Sequence, residues 1–212
     1  MHIQIFNPDQ IQILPLVKQF KKEFYLVGGT AIALHIGHRR SIDFDLFKFS
    51  PIKPQSIIQK ISSFNFKYSV TRRVTEQLNV NINNVKFTFY QYPFNINATE
   101  RLDDILRLPS LLDLAAMKTY ALGRRSKWKD YVDIYFMLKD HFSIKQISDR
   151  AAELFGQLFS EKLFRAQLSY FDDIDYSEPV EFLGSVISNE EIRSFLTDKA
   201  TDIFGDQPIK KK

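Results

Sequence analysis

The sequence predicts an α+β fold, in which a mixed sheet with interleaved helices is followed by a mainly helical region. Alternating apolar and polar residues, typical of strands, recur up to about residue 92, and the apolar spacing becomes helical from Pro109 onward. The 212 residues are 44% hydrophobic and 25% charged, which is ordinary globular usage and excludes a disordered chain. We therefore expect two parts, residues 1–108 and residues 109–212.

The first elements are predicted from capping and turn signals. A helix is expected over residues 7–22 because it opens with Asn-Pro, a capping residue followed by a proline suited to the first helical position. Residues 24–27 form a short apolar strand that ends at a Gly-Gly pair. A second helix over residues 30–36 is stopped by Gly37.

Four more strands and one helix complete the first half. Residues 41–49 alternate between two sides, so Asp43 and Asp45 fall on the same side of a strand. A helix is expected at about residues 55–64. Three further strands are predicted, at residues 67–74, 77–82 and 85–92. An Asn-Asn pair that favours a turn joins the last two.

Helical periodicity dominates the second half. Residues 110–122 and 128–138 each show the spacing of one helix, and weaker helical segments run from residue 143 to about residue 204. Strands with interleaved helices, followed by helices alone, favour one sheet layer and one helical region.

Charge and composition narrow the class of protein. The formal net charge is +4, and three of these charges belong to the terminal Lys210, Lys211 and Lys212, so the rest of the chain is nearly neutral. The chain has no cysteine, which excludes a disulfide framework and a thiolate zinc site. The N-terminus does not resemble a leader, and no run approaches the roughly 18 apolar residues of a membrane span. We expect a cytoplasmic protein with no membrane partner.

Asp43 and Asp45 are the candidate metal ligands. Residues two apart on a strand point to the same face, so these carboxylates project side by side, roughly 7 Å apart along the chain. A divalent cation would remove their repulsion, and ligands that are all oxygen favour Mg²⁺ or Mn²⁺ over zinc. Taken alone, the pattern also fits the polar side of a half-exposed strand.

A candidate phosphate site precedes this pair, where a strand ends in Gly28 and Gly29 and a helix begins. Backbone amides at a helix N-terminus attract phosphate oxygens, glycine permits close approach, and Thr30 adds a hydroxyl. An ordinary strand-to-helix turn would explain the glycines alone. Together with the two aspartates, however, the pattern places a phosphate cradle beside a metal site, as phosphoryl-transfer chemistry requires.

Two residues of the helical half are further candidates. Lys118 emerges from an apolar helical stripe, so its amine either extends outward to solvent or binds a partner such as a triphosphate. Asp133 lies one helical turn after Asp130, and it either forms ordinary ion pairs with Lys129 and nearby arginines or acts as a base or positioning carboxylate.

These residues together resemble the AbiEii/AbiGii toxin family, a branch of the DNA polymerase beta-like nucleotidyltransferases. The resemblance is carried by stretches that include Val-Gly-Gly-Thr and Asp-Phe-Asp-Leu, at residues 26–34, 38–47, 113–118 and 124–135. It implies a polymerase beta-like core with a mixed sheet, and a helical region at 109–212 that completes the active site and shapes acceptor recognition.

The resemblance also implies residue roles. Gly28, Gly29, Thr30, Ser41 and Lys118 would bind the nucleotide. The magnesium ligands would be Asp43 and Asp45, and the catalytic residues would be these two with Lys118 and Asp133.

The implied function is the transfer of a nucleotide from a nucleoside triphosphate to an acceptor, with the tRNA 3′ end as the leading candidate. The protein would act as the toxin of a toxin–antitoxin or phage-defence system, with an antitoxin protein as partner. The alternatives are a small-molecule or protein acceptor, and a nucleotide-binding module without turnover. Many members of the superfamily place a third carboxylate on a later strand, but residues 85–90 contain none. Either Asp133 replaces it as the base, or a second metal is bound weakly or not at all.

Overall fold

The computed structural model describes residues 1–122 and 124–202, which belong to two compact units. The first unit is Met1–Ser110, and the second begins at Leu111. Gly123 and residues 203–212, which include the terminal lysines, lie outside the described residues.

The first unit contains three α-helices and seven strands. The helices are α1 (Pro8–Val17), α2 (Gly28–Ile36) and α3 (Pro54–Ser62). The strands are β1 (Tyr25–Val27), β2 (Phe44–Lys48), β3 (Tyr68–Arg73), β4 (Gln77–Ile82), β5 (Val85–Gln91), β6 (Glu100–Leu102) and β7 (Leu106–Leu108).

All seven strands form one mixed sheet in the order β3-β4-β5-β2-β1-β7-β6. The central strand β2 is antiparallel to β1 and parallel to β5. Strand β3 lies at one edge, antiparallel to β4. The register pairs Asp45 with Val27 on one side and with Thr88 on the other. The predicted mixed sheet is therefore confirmed.

One face of this sheet packs on the core of the unit, and we call it the core face. Phe44 and Phe87 of adjacent strands stack there with ring centroids 5.1 Å apart, and Phe89 meets the ring of Phe20 at 4.8 Å. We call the opposite face the outer face. Because strand side chains alternate, Asp45 and Thr88 belong to the outer face.

Several elements differ from the sequence-based expectation. The first helix begins with Asn7 as its N-cap and Pro8 at its first position, as expected, and Gln10 completes a capping box. It ends at Val17 rather than at about residue 22 and continues only as a 3₁₀ turn. Strand β2 starts at Phe44 rather than at residue 41, because its partner β1 is three residues long and its pairing ends at Asp45. Helix α2 begins at Gly28 rather than after the glycines.

The β6–β7 hairpin was not predicted. Each of its strands has only three residues, and its turn contains Asp103 at a φ of 44°. Such short strands carry almost no alternation, so periodicity does not reveal them. The Asn83-Asn84 turn was predicted correctly, and both residues adopt positive φ, as a two-residue hairpin turn requires.

The described part of the second unit is mainly helical, as predicted, except that residues 169–188 form no helix. Its helices are α4 (Leu111–Leu122), α5 (Trp128–Asp140), α6 (Ile144–Phe155), α7 (Glu161–Leu168) and α8 (Asn189–Thr201). Helix α4 packs against α5, α6 and α7, and α8 packs against α5 and α7. Tyr131 and Tyr135 of α5 are among the largest fully buried side chains. Within the described residues, no helix has the length and apolar character needed to cross a membrane.

Candidate active site

The predicted carboxylates lie at the start of β2. Asp45 is the second residue of β2, and Asp43 is the residue immediately before the strand. Both side chains are partly exposed, while Phe44 between them is fully buried. The buried phenylalanine fixes the strand against the core, so the acidic side chains stay accessible.

Gly28 brings Asp45 against the N-terminus of α2. The backbone φ of Gly28 is +73°, and a Cβ placed there would overlap Oδ2 of Asp45 and lie 3.2 Å from its Cγ. Val27, the N-cap residue, has no side chain that accepts a hydrogen bond. The carboxylate of Asp45 therefore lies beside the first turn of a helix, where backbone amides concentrate partial positive charge.

Replacing Gly28 by alanine is expected to reduce both stability and activity. Positive φ costs an L-residue about 1–3 kcal/mol, and the new methyl group would displace the carboxylate of Asp45. A displacement of about 1 Å can reduce turnover roughly a hundredfold. Unfolding in urea and transfer kinetics would measure the two effects.

Gly156→Ala is the matched control for that variant. Gly156 also has positive φ, at +56°, but nothing lies within 4 Å of its Cβ position. Gly156→Ala should lose stability and keep its activity per folded molecule. Equal activity in the two variants would contradict a requirement for glycine at position 28 beside Asp45.

Side chains of the protein fill the space beside Gly29. A Cβ there would lie 2.5 Å from Nη2 of Arg39 and 3.1 Å from Oγ of Ser41. The guanidinium of Arg39 is only 2% exposed, and its Nη1 donates to the carbonyl oxygen of Arg40 at 2.9 Å. A buried guanidinium beside a helix N-terminus is suited to binding phosphate. In the sequence, the adjacent Arg39-Arg40 pair is a basic cluster that suits either a phosphate or a solvated surface. The burial of Arg39 excludes the solvated surface for this residue.

Thr30 and Ser41 hold the segment that leads into β2. The hydroxyl of Thr30 is buried and hydrogen-bonds Oγ of Ser41 at 2.9 Å and the carbonyl oxygen of Asp43. Nε2 of Gln10 donates to the carbonyl oxygen of Ser41 at 2.9 Å. These bonds replace strand pairing for residues 41–43 and fix the backbone of Asp43. The predicted contacts of Thr30 and Ser41 with a nucleotide stay predictions.

Lys118 and Asp133 lie together in the second unit. The amine of Lys118 is 2.9 Å from Oδ2 of Asp133 and 2.7 Å from Oδ1 of Asp130, and all three side chains are at least 96% buried. Arg125 adds a bidentate contact to Asp130, at 2.9 and 3.2 Å. The amine therefore does not extend to bulk solvent. Asp130 was assigned no catalytic role from the sequence, although it belongs to this buried cluster.

The charges of this cluster stabilise one another. Burial acts to lower the pKa of Lys118, but the attraction of Asp130 and Asp133 outweighs it, so the pKa is raised above its ordinary value of 10.5. Burial acts to raise the pKa of Asp130, yet Lys118 and Arg125 lower it from the ordinary value of 3.8. Lys118 and Asp130 are therefore both charged at neutral pH.

The candidate residues thus form two groups, one in each unit. Gly28, Gly29, Thr30, Ser41, Asp43 and Asp45 are assembled by β1, α2 and β2. Lys118 and Asp133 are assembled by α4 and α5. The roles assigned to both groups stay predictions.

The carboxylate pair suits a hard divalent cation. No group of three or more His, Cys, Asp or Glu side chains able to hold a metal occurs among the described residues. Magnesium is commonly held by one or two carboxylates, with water and substrate phosphate oxygens as the remaining ligands. Asp43 and Asp45, next to the Gly28-Gly29 turn, fit that ligand set, whereas a metal site built wholly from protein would need more donors.

A mixed sheet with an acidic pair at the start of a central strand, next to a Gly-Gly helix N-terminus, defines the class of nucleotidyltransferases. The model of the family described as nucleotidyl transferase AbiEii toxin, type IV toxin–antitoxin system, matches residues 16–103 and 93–201. The chain belongs to this family, and it is a nucleotidyltransferase.

The chain is also similar to one curated relative in sequence and to two solved structures in fold. An uncharacterized protein of Aquifex aeolicus (strain VF5) is 30% identical over 159 residues, which are 71% of this chain and 75% of the relative. MenT4, a nucleotidyltransferase toxin of Mycobacterium tuberculosis H37Rv, has a TM-score of 0.59 and 13% identity over 93% of this chain and 84% of its own. JHP933 from Helicobacter pylori has a TM-score of 0.57 and 17% identity over 93% and 90% of the two chains. The polymerase beta-like fold is thereby confirmed.

Proposed function

We propose that this nucleotidyltransferase transfers a nucleoside monophosphate from a nucleoside triphosphate to an RNA acceptor. The leading candidate for the acceptor is the tRNA 3′ end. The reaction depends on Mg²⁺ or Mn²⁺ bound by Asp43 and Asp45. The observation that carries the proposal is the position of the Asp45 carboxylate against Gly28 at the N-terminus of α2. A metal ligand and a phosphate-binding helix end are suited to adjacent oxygens of one triphosphate.

The reaction forms one bond and breaks another. The oxygen of an acceptor hydroxyl attacks the α-phosphorus, the bond to the bridging oxygen of the β-phosphate breaks, and pyrophosphate leaves. Asp43 and Asp45 would hold a metal ion that, when bound, would neutralise charge on the α-phosphate. The amides of α2 and the guanidinium of Arg39 hold the phosphates, because both present donors and positive charge. The proton of the hydroxyl must pass to a base.

The base is not supplied by the strand that neighbours Asp45. The register places Thr88 beside Asp45, and residues 85–90 of this neighbouring strand contain no carboxylate. Because a threonine hydroxyl does not accept a proton at neutral pH, the base must be another group. We propose Asp133 for this role and Lys118 for binding the triphosphate, as the resemblance implies. Their buried ion pair supports a structural role as well.

A toxin role in a toxin–antitoxin system completes the proposal. The description of the family and the printed title of MenT4 both name a toxin, which supports growth inhibition as the outcome of the transfer. An antitoxin would then be the cognate partner of this protein.

One labelling experiment tests the acceptor and the nucleotide. The purified protein is incubated with Mg²⁺, total cellular RNA and one of four nucleoside triphosphates labelled at the α-phosphate. The control is the double variant Asp43→Asn, Asp45→Asn. We expect label in a tRNA-sized band with one or two of the nucleotides, only with the wild-type protein.

Other outcomes discriminate among the alternatives. Label on a protein or a small molecule, with none on RNA, would contradict the RNA acceptor and keep the transferase. If the protein binds nucleotide but labels nothing in a complete cell extract, the chain acts as a nucleotide-binding module.

A further inference from the structure

A row of polar side chains crosses the outer face of the sheet and ends at Asp45. Asp45 pairs with Thr88, Thr88 with Asn79, and Asn79 with Arg72, on the successive strands β2, β5, β4 and β3. Paired residues point to the same face, and neighbouring strands are about 4.8 Å apart, so the row is roughly 14 Å long. It joins the candidate metal site to the exposed edge of the sheet.

A second row runs beside the first on the same face. Lys86 pairs with Asn81, and Asn81 pairs with Ser69. All three side chains are exposed. Phe44 pairs with Phe87, and Asp43 and Lys86 are the residues immediately before them in the two parallel segments. Lys86 therefore lies at the level of Asp43 along the sheet. The first row thus starts at Asp45, and the second starts one residue before the Phe44–Phe87 pair, next to the end of β2 that Asp43 precedes.

The charge on these strands has a single sign. Strands β3, β4 and β5 contain Arg72, Arg73 and Lys86, and no Asp or Glu. No ion pair between these three cations and a carboxylate is found within residues 1–122 and 124–202. An exposed sheet face with unpaired cations favours a polyanion.

Amide groups between the cations provide hydrogen-bonding positions. Nε2 of Gln77 donates to Oδ1 of Asn79 at 2.9 Å, which orients the Asn79 amide and leaves its Nδ2 to donate outward. Amides and hydroxyls bind sugar and phosphate oxygens in nucleic-acid complexes. Thr88, where a carboxylate would repel an anion, adds no negative charge beside Asp45.

We infer that the outer face of β3, β4 and β5 binds the sugar–phosphate backbone of the acceptor strand, with Arg72 and Lys86 contacting phosphates, and leads its 3′ end toward Asp43 and Asp45. The inference rests on the proposed function, because it assumes a nucleic-acid acceptor. The polar rows give the strand a path along the sheet, and the aspartates mark its reactive end.

The edge strand provides a matched pair of variants. Arg72 pairs with Asn79 and points to the outer face, whereas the adjacent Arg73 pairs with the buried Leu78 and points to the opposite face. Every residue of β3 is exposed, so neither Arg72→Ala nor Arg73→Ala should impair folding. The two variants have the same charge and differ in the face from which it is removed.

The test measures the binding of bulk tRNA that carries a fluorescent 5′ label. Fluorescence anisotropy gives the Kd at each of a series of salt concentrations. We expect Arg72→Ala to weaken binding roughly threefold to tenfold and to reduce the slope of log Kd against log salt by about one. Lys86→Ala should do the same, and Arg73→Ala should leave the slope unchanged. Thermal unfolding of each variant verifies the fold.

The failure of this inference can be distinguished from that of the proposed function. If the wild-type protein labels RNA but Arg72→Ala and Arg73→Ala bind tRNA equally well, the outer face is not the surface that binds the acceptor strand. If the wild-type protein does not bind tRNA, the inference is also overturned. If the protein labels no acceptor yet binding still depends on Arg72 and Lys86 but not on Arg73, the proposed transfer fails and the binding face stands.

Discussion

Replacing Asp43 and Asp45 together by asparagine is expected to abolish nucleotidyl transfer and to leave the protein folded. A metal ion at a transferring phosphate is worth several kcal/mol of transition-state stabilisation, so the loss should be about a thousandfold or more. The fold should survive, because both side chains are partly exposed and the change removes two neighbouring like charges. Transfer to the acceptor and thermal unfolding would be measured on the same preparation.

Asp104→Asn is a suitable control for the double variant. Asp104 is an exposed residue of the first unit, and its partners are Lys18 and Lys21. Its replacement should change neither transfer nor folding measurably. Activity of the double variant within a few-fold of that of Asp104→Asn would contradict the metal site.

Replacing Lys118 by methionine is expected to lower the free energy of unfolding by about 3–5 kcal/mol, because the change leaves Asp130 and Asp133 buried without the amine that contacts both. Urea denaturation would measure the effect. The loss of stability is independent of any part that Lys118 plays in binding the triphosphate. Activity of this variant must therefore be normalised to the folded fraction, and a raised KM for the nucleotide in the folded fraction would support the binding role.

Lys145→Met is the matched control in the same unit. Lys145 pairs with Asp149 at 2.8 Å on α6, but the side chains are 66% and 59% exposed. Such a pair contributes about 0.5 kcal/mol or less. Equal effects of Lys118→Met and Lys145→Met would contradict the buried cluster as a main stabilising element of the second unit.

The pKa shifts define the pH range in which Lys118→Met should cost more stability than Lys145→Met. Because the pKa of Lys118 is raised on folding, the stabilisation from its charge is complete below 10.5 and is lost as the pH rises through the folded value. Because the pKa of Asp130 is lowered, its stabilisation is present above 3.8 and is lost as the pH falls through the folded value. The effect of Lys118→Met should therefore be equal at about pH 6 and about pH 9.

The candidate site in the first unit was predictable because its residues are close in sequence. A Gly-Gly strand end and two aspartates at a spacing of two are local patterns with direct chemical meaning. What the sequence does not contain is the strand order. The pairing of Asp45 with Thr88 and the rows across to β3 follow from a parallel neighbour that is distant in sequence.

The buried cluster of Lys118, Asp130 and Asp133 likewise depends on packing that the sequence does not contain. The apolar neighbours of Lys118 indicated that its amine either extends to solvent or meets a partner. The choice depends on how α4 and α5 pack, and that packing places Asp130 and Asp133 around the amine. The burial of Arg39 against Gly29 was not predictable for a similar reason, since it depends on the path of the chain into β2.

The central claim is that this protein transfers a nucleotide rather than a phosphoryl group. The most direct test supplies the preferred nucleoside triphosphate in two forms, labelled at the α-phosphate or at the γ-phosphate, with the wild-type protein and its acceptor. The account predicts that α-label enters the acceptor while γ-label appears only in released pyrophosphate. Transfer of γ-label to the acceptor would contradict it.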